Sequence, residues 1–94
     1  MIDTPLRLAA GGNCQKIAIS STSASSAQIQ GSIVHITPSV DCYAREGMAP
    51  TAVSTGVDHF LVANATQMFS IMPNNKIAFI TESLSGTVRI AVVG

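Results

Sequence analysis

Lys76-Ile77-Ala78-Phe79-Ile80-Thr81 and, a few residues on, Thr87-Val88-Arg89-Ile90-Ala91-Val92-Val93 alternate apolar and polar or small side chains almost without a break. Successive side chains of a β-strand point to opposite faces, so a period of two marks half-buried sheet. Val88, Ile90 and Val92 fall on one side, with Thr87, Arg89 and Ala91 on the other. The core is therefore expected to hold Ile77, Phe79, Val88, Ile90 and Val92. No stretch of the chain keeps the 3.6-residue period of a helix.

Outward from this stretch the pattern repeats in shorter pieces. Leu6-Arg7-Leu8-Ala9 reads as a first strand stopped by Gly11-Gly12-Asn13, and Cys14 to Ser20 as a second with Ile17 and Ile19 on one face. The polar run at 20–27, Ser-Ser-Thr-Ser-Ala-Ser-Ser-Ala, lacks large apolar side chains to offset ordering entropy. It reads as a flexible loop, or as a contact arm that orders on assembly. Ile29 to Thr37 resumes a strand, with a bulge at Gly31; Pro38 ends it or places it at an edge. Val40 to Arg45 reads as a strand, with a helical turn capped by Ser39 as the competing reading. Gly47 to Ala52 is a connecting loop, and Ala63-Asn64-Ala65-Thr66 separates strands at Val57 to Val62 and Gln67 to Met72. Pro73-Asn74-Asn75 and Ser83-Leu84-Ser85-Gly86 are spaced to link the last strands as a hairpin meander. The expectation is one all-β domain over residues 1–94: a small β-sandwich or jelly-roll-like barrel of about eight short antiparallel strands.

Composition narrows the partners. A chain of 94 residues buries about 60–65% of its extended surface, enough for one modest core. Yet 47% of the residues are hydrophobic and only 11% charged, against about 25% charged in an ordinary domain. So much apolar material exceeds what a small core hides, which points to burial against a partner. Arg7, Lys16, Arg45, Lys76 and Arg89 are scattered among as many acids, with no basic cluster to neutralise phosphates, so nucleic acid is not an expected partner. The start, Met-Ile-Asp-Thr-Pro, lacks a basic region followed by an apolar run, and no stretch approaches the 18–20 apolar residues of a spanning helix. A cytoplasmic origin with no membrane partner is the expectation, and with it free, buried thiols at Cys14 and Cys42.

Candidate chemistry is sparse. Cys14, Cys42, His35 and His59 are the soft-ligand residues, but they lack the close pairing of zinc sites, and no metal or other cofactor is expected. Asp58-His59 suggests a dyad only on paper, because neighbouring strand residues face opposite ways. No serine stands in a G-x-S-x-G elbow, and Gly11-Gly12-Asn13 lacks the lysine of a phosphate loop. An enzyme is not expected. The methionines at 48, 68 and 72 read as core or interface filler. Met68 and Met72 share a strand face with Ser70, opposite Phe69 and Ile71. A strand apolar on both faces suits cover by its own second sheet on one side and a neighbouring subunit on the other. Met68, Ser70 and Met72 are accordingly the candidate interface.

From about Thr55 to Val93 the chain resembles the C-terminal half of small structural proteins from tailed-phage morphogenesis clusters. The stretches that carry this are Gly56-Val57-Asp58-His59-Phe60-Leu61-Val62-Ala63-Asn64, Met72-Pro73-Asn74-Asn75-Lys76-Ile77-Ala78-Phe79-Ile80 and Ser85-Gly86-Thr87-Val88-Arg89-Ile90. Such proteins are capsid decoration (cement) proteins, or subunits of the neck, tail or fibre. The resemblance implies a non-enzymatic virion subunit made in the host cytoplasm. It would assemble with itself, as a trimer or small ring, and with a major capsid or other virion protein. A lectin-like module for glycan or peptide is the alternative from another class, although one Tyr and three Phe are a thin supply of stacking platforms.

Overall fold

The computed structural model describes residues 14–93, which form eight strands and no helix. They are β1 (Cys14–Ile19), β2 (Ala24–Ser25), β3 (Ile33–Pro38), β4 (Cys42–Gly47), β5 (His59–Leu61), β6 (Gln67–Ser70), β7 (Lys76–Ile80) and β8 (Gly86–Val92). Two antiparallel sheets of four have the orders β1-β8-β3-β6 and β2-β7-β4-β5, hereafter the first and second sheet. The strand expected at Leu6 to Ala9 lies outside the described residues.

The pairing is nested. β4 pairs with β5, β3 with β6, β2 with β7 and β1 with β8, so the chain is one long hairpin folded over on itself. Two further pairings, β3–β8 and β4–β7, close each sheet where the folded ribbon meets itself. This is the connectivity of a jelly roll. The ribbon keeps its register around the bends. From Cys42–Leu61 to Ile33–Ser70 both partners move nine residues, and nine again to Ala24–Phe79. Hydrogen bonds carry the register through the corner between sheets: Ile71 N–H to Ser32 O (2.8 Å), Asn74 N–H to Ile29 O (2.8 Å) and Ser26 N–H to Ile77 O (2.8 Å). Only beyond Ala24 do the arms differ, with five residues to Ile19 against seven to its partner Gly86.

Asparagine sets the two tight bends. Met72-Pro73-Asn74-Asn75 closes with Asn75 N–H on Met72 O, and Val62 to Ala65 closes the same way. Asn74 (φ 73°) and Asn64 (φ 61°) occupy the left-handed third position, with Pro73 ahead of the first. Asparagine tolerates that region because its short amide bonds locally, and proline presets the preceding φ.

The inward faces meet in a single core of Ile19, Ile29, Val34, Ile36, Cys42, Leu61, Ile77, Phe79, Val88 and Ile90. Four of the five expected core residues are buried; Val92, near the end of β8, packs half-buried against the cluster. Pro38 ends β3, which is an interior strand of the first sheet. Gly31 precedes that strand, so the expected bulge is absent from it.

Three expectations need correction. The last strands do not form a meander, because β6, β7 and β8 alternate between sheets and the single sequential hairpin is β4–β5. Turn residues specify a reversal, not whether the next strand pairs beside the last or crosses the core. The Ser-rich run contains β2, and its hydroxyls take the place of ladder partners: Ser26 is buried and Ser23 Oγ accepts the Ala52 amide (2.9 Å). Finally, Ala78 on the outward side of β7 is fully buried, where alternation predicts exposure. Its register partners are Ser25 and Arg45. The 52–58 segment crosses this face, tied down at Ser23 and at the Arg45–Asp58 ion pair (2.6 Å).

Candidate interaction surface

β6 is an edge strand of the first sheet, and alternation divides its side chains cleanly. Phe69 turns inward and meets His59 of the second sheet edge-on, with ring centres 5.1 Å apart, bracing the open side of the sandwich. Met68 and Ser70 turn outward. Met68 is 59% exposed, a large apolar surface for a side chain in a strand. Met72 (68% exposed) lies beyond the strand's end, and its amide donates to Glu46 Oε2 of β4 (2.6 Å). The structure thus places Met68 and Ser70 on one face and Met72 at the adjoining corner. Met48 is 83% exposed in the β4–β5 loop, so none of these three methionines is a core residue.

Register extends the Met68 face across all four strands. Met68 stands opposite His35, His35 opposite Ala91, and Ala91 opposite Cys14. The adjoining row runs Thr37, Arg89, Lys16. Thr37 Oγ1 shares a hydrogen bond with Thr66 Oγ1 (2.7 Å) at the row's end. A shallow hollow of about 450 Å³ lies between the rows, with Lys16, Arg89, His35 and Thr37 on its walls. Lys16 and Arg89 are like charges in direct cross-strand opposition, which is unfavourable unless something compensates. His35 Nε2 is buried here with no hydrogen-bond partner among the described residues. Alternation places both cations on the polar faces of their strands. Their opposition depends on register between strands more than 70 residues apart, for which the sequence carries no local signal.

The outward face of the second sheet differs. Tyr43 and Phe60 are register partners with ring centres 5.3 Å apart. With Leu84, Asp41 and Glu82 they surround a hollow of about 410 Å³. Tyr43 Oη–H donates to Glu82 Oε1 (2.9 Å), and Asp41 Oδ1 accepts the Ala63 amide (2.8 Å). The hydrogen bond to Glu82 leads the causes that raise the Tyr43 pKa, followed by burial and by the charges of Glu82 and Asp41.

Elsewhere the polar groups serve the fold. Burial pulls the Asp58 carboxyl upward, but the Val53 amide, the Arg45 hydrogen bond and the Arg45 charge outweigh it and hold its pKa below the ordinary value. Asp58 therefore turns to Arg45 while His59 packs on Phe69, and the two do not act on a shared point. Cys42 is buried and Cys14 is exposed, so only one thiol sits where both were expected. Burial, then the Asp41 charge, pushes the Cys42 thiol up to about 11. Among the described residues no three His, Cys, Asp or Glu side chains gather as a metal site, and no helix is long and apolar enough to cross a membrane.

No family model, curated protein or solved structure matches this chain.

Proposed function

We propose that this chain is a non-enzymatic structural subunit of a phage virion, a decoration protein that stabilises the head. It is made in the host cytoplasm and attaches to the major capsid protein as a homo-oligomer, with a trimer the simplest form. The observation that carries this reading is the nested eight-strand roll, whose outward faces present Met68, Ser70, Phe60 and Leu84 among few charges. Jelly rolls recur in viral capsid domains, and also in lectins and cupins, so the roll alone does not choose among them. The surface favours a shell subunit: apolar side chains standing on rigid sheet faces suit a lasting interface. A neck, tail or fibre position satisfies the same surface.

Sedimentation with capsids tests the proposal. The chain should pellet with virions of the phage that encodes it and raise the temperature at which their heads open. A monomer that stays in the supernatant overturns it. The second reading, a lectin-like module, draws on the Tyr43–Phe60 ring pair beside Asp41 and Glu82, since rings stack on sugar faces and carboxylates accept their hydroxyls. Shifts of the Tyr43 and Phe60 ring resonances on titration with glycans would favour it.

A further inference from the structure

We propose that the outward face of the first sheet docks onto the Tyr43–Phe60 hollow of a second copy, with the Lys16–Arg89 pair of one set against Asp41 and Glu82 of the other. This rests on the reading of the chain as an assembling subunit and specifies how copies join.

The two outward faces differ in charge: the second sheet's face carries Asp41 and Glu82 at its hollow, with the Arg45–Asp58 pair and Lys76 further along the same face. The first sheet's face carries Lys16 and Arg89 as register partners and, among the described residues, no acid. Among the described residues the ion pair is Arg45–Asp58, and Glu46 is held at the sandwich edge by the Met72 amide and Asn75 Nδ2. Among the described residues no acid offsets the mutual repulsion of the cation pair. The hollow on the second sheet holds Asp41 and Glu82, neither with a cationic partner among the described residues; their contacts there are the Ala63 amide and the Tyr43 hydroxyl. A carboxylate pair set against the cation pair relieves both faces at once.

The remaining chemistry matches. Met68, beside the basic row, and Phe60 and Leu84, beside the acidic hollow, are 59%, 46% and 49% exposed. They supply the apolar centre that a lasting interface needs.

Because the faces belong to opposite sheets of one sandwich, the contact is heterologous. Each copy offers one face forward and the other behind, so assembly continues until a rotation closes it into a ring.

Sedimentation velocity on the whole chain at micromolar concentration reads this directly. The wild type should self-associate, and more weakly as salt is raised. Lys16→Glu with Arg89→Glu makes both faces acidic, and Glu82→Lys with Asp41→Lys makes both basic. Each variant alone should associate more than about 100-fold more weakly. Mixing the two should restore association between unlike variants, because a contact between them joins an acidic face to a basic one. Asp41 accepts a backbone amide, so circular dichroism must show an intact sheet; Glu82→Lys alone serves if the double variant unfolds. Association unchanged in the charge-reversed variants overturns this interface while leaving the assembly reading standing. A wild-type monomer that still binds capsids does the same. A wild-type monomer that binds no capsid defeats both.

Discussion

Ser26 and Ile77, 51 positions apart, hold each other twice: the Ser26 amide donates to Ile77 O (2.8 Å), and the Ile77 amide donates to Ser26 Oγ (3.0 Å). The hydroxyl proton goes on to Ala27 O (2.8 Å). A buried side chain here completes a ladder that the backbone, bending toward the next sheet, no longer reaches.

Ser26→Ala should therefore leave the Ile77 amide buried and unpaired. The expected loss is about 1–3 kcal/mol in urea unfolding, with faster hydrogen exchange at the Ile77 amide.

Ile90 is 1% exposed at the centre of the first sheet. Ile90→Ala should cost about 2–5 kcal/mol, whereas Met68→Ala on the outward face should change monomer stability by less than about 0.5 kcal/mol. The reverse order would mean that the register is shifted by one residue, exchanging the faces.

Gly86 begins β8 under Ser39 and Val40. A Cβ there would lie 2.5 Å from Ser39 Oγ and 3.0 Å from Val40 Cγ2. Ser39 Oγ is fixed by the Thr87 amide (2.9 Å), so it cannot retreat without losing that bond. Gly86→Ala should cost about 1–3 kcal/mol by thermal or urea unfolding.

The thiols should separate by reactivity. Cys14 should react with a disulfide reagent in the native protein, and Cys42 only on unfolding. With its pKa raised from 9.0 to about 11, native Cys42 keeps a proton that the unfolded chain loses. Its contribution is whole below pH 9 and falls away as pH climbs toward about 11. Cys42→Ala should reduce the alkaline slope of stability across that window.

Asp58 acts at the other end of the scale. Its folded pKa lies below the ordinary 3.8, so its contribution is present above that value and lost as pH falls through the folded one. Asp58→Asn should flatten the acid limb of the stability curve and loosen the 52–58 segment, read as faster exchange at the Val53 amide.

Alternation located most of the strands and the inward set Ile77, Phe79, Val88 and Ile90, because burial on one face imposes a local period. It missed Ala78, since cover of an outward face by a distant loop leaves no trace in a strand's own pattern. It missed β2, where serine hydroxyls substitute for backbone partners in a segment with no apolar rhythm. The outward placement of Met68 and Ser70 on β6 was legible in the alternation with Phe69. Lys16 and Arg89 joined it only through register, which belongs to pairs of strands and not to either one.

The nested register also decides when each strand can find its mate during synthesis. Cys42 and Leu61 are 19 positions apart, Ile33 and Ser70 37, and Cys14 and Ala91 77. Closure should begin at the β4–β5 tip and zip outward, each step joining more distant residues, so the contact order is high and folding takes about milliseconds to seconds. On the ribosome, β1 emerges before all the other described strands and its partner β8 after them. At about 5–20 residues per second, β1 waits several seconds with an open edge. Lys16, pointing outward from that edge, is a charge well placed to keep a growing chain from pairing with its neighbours.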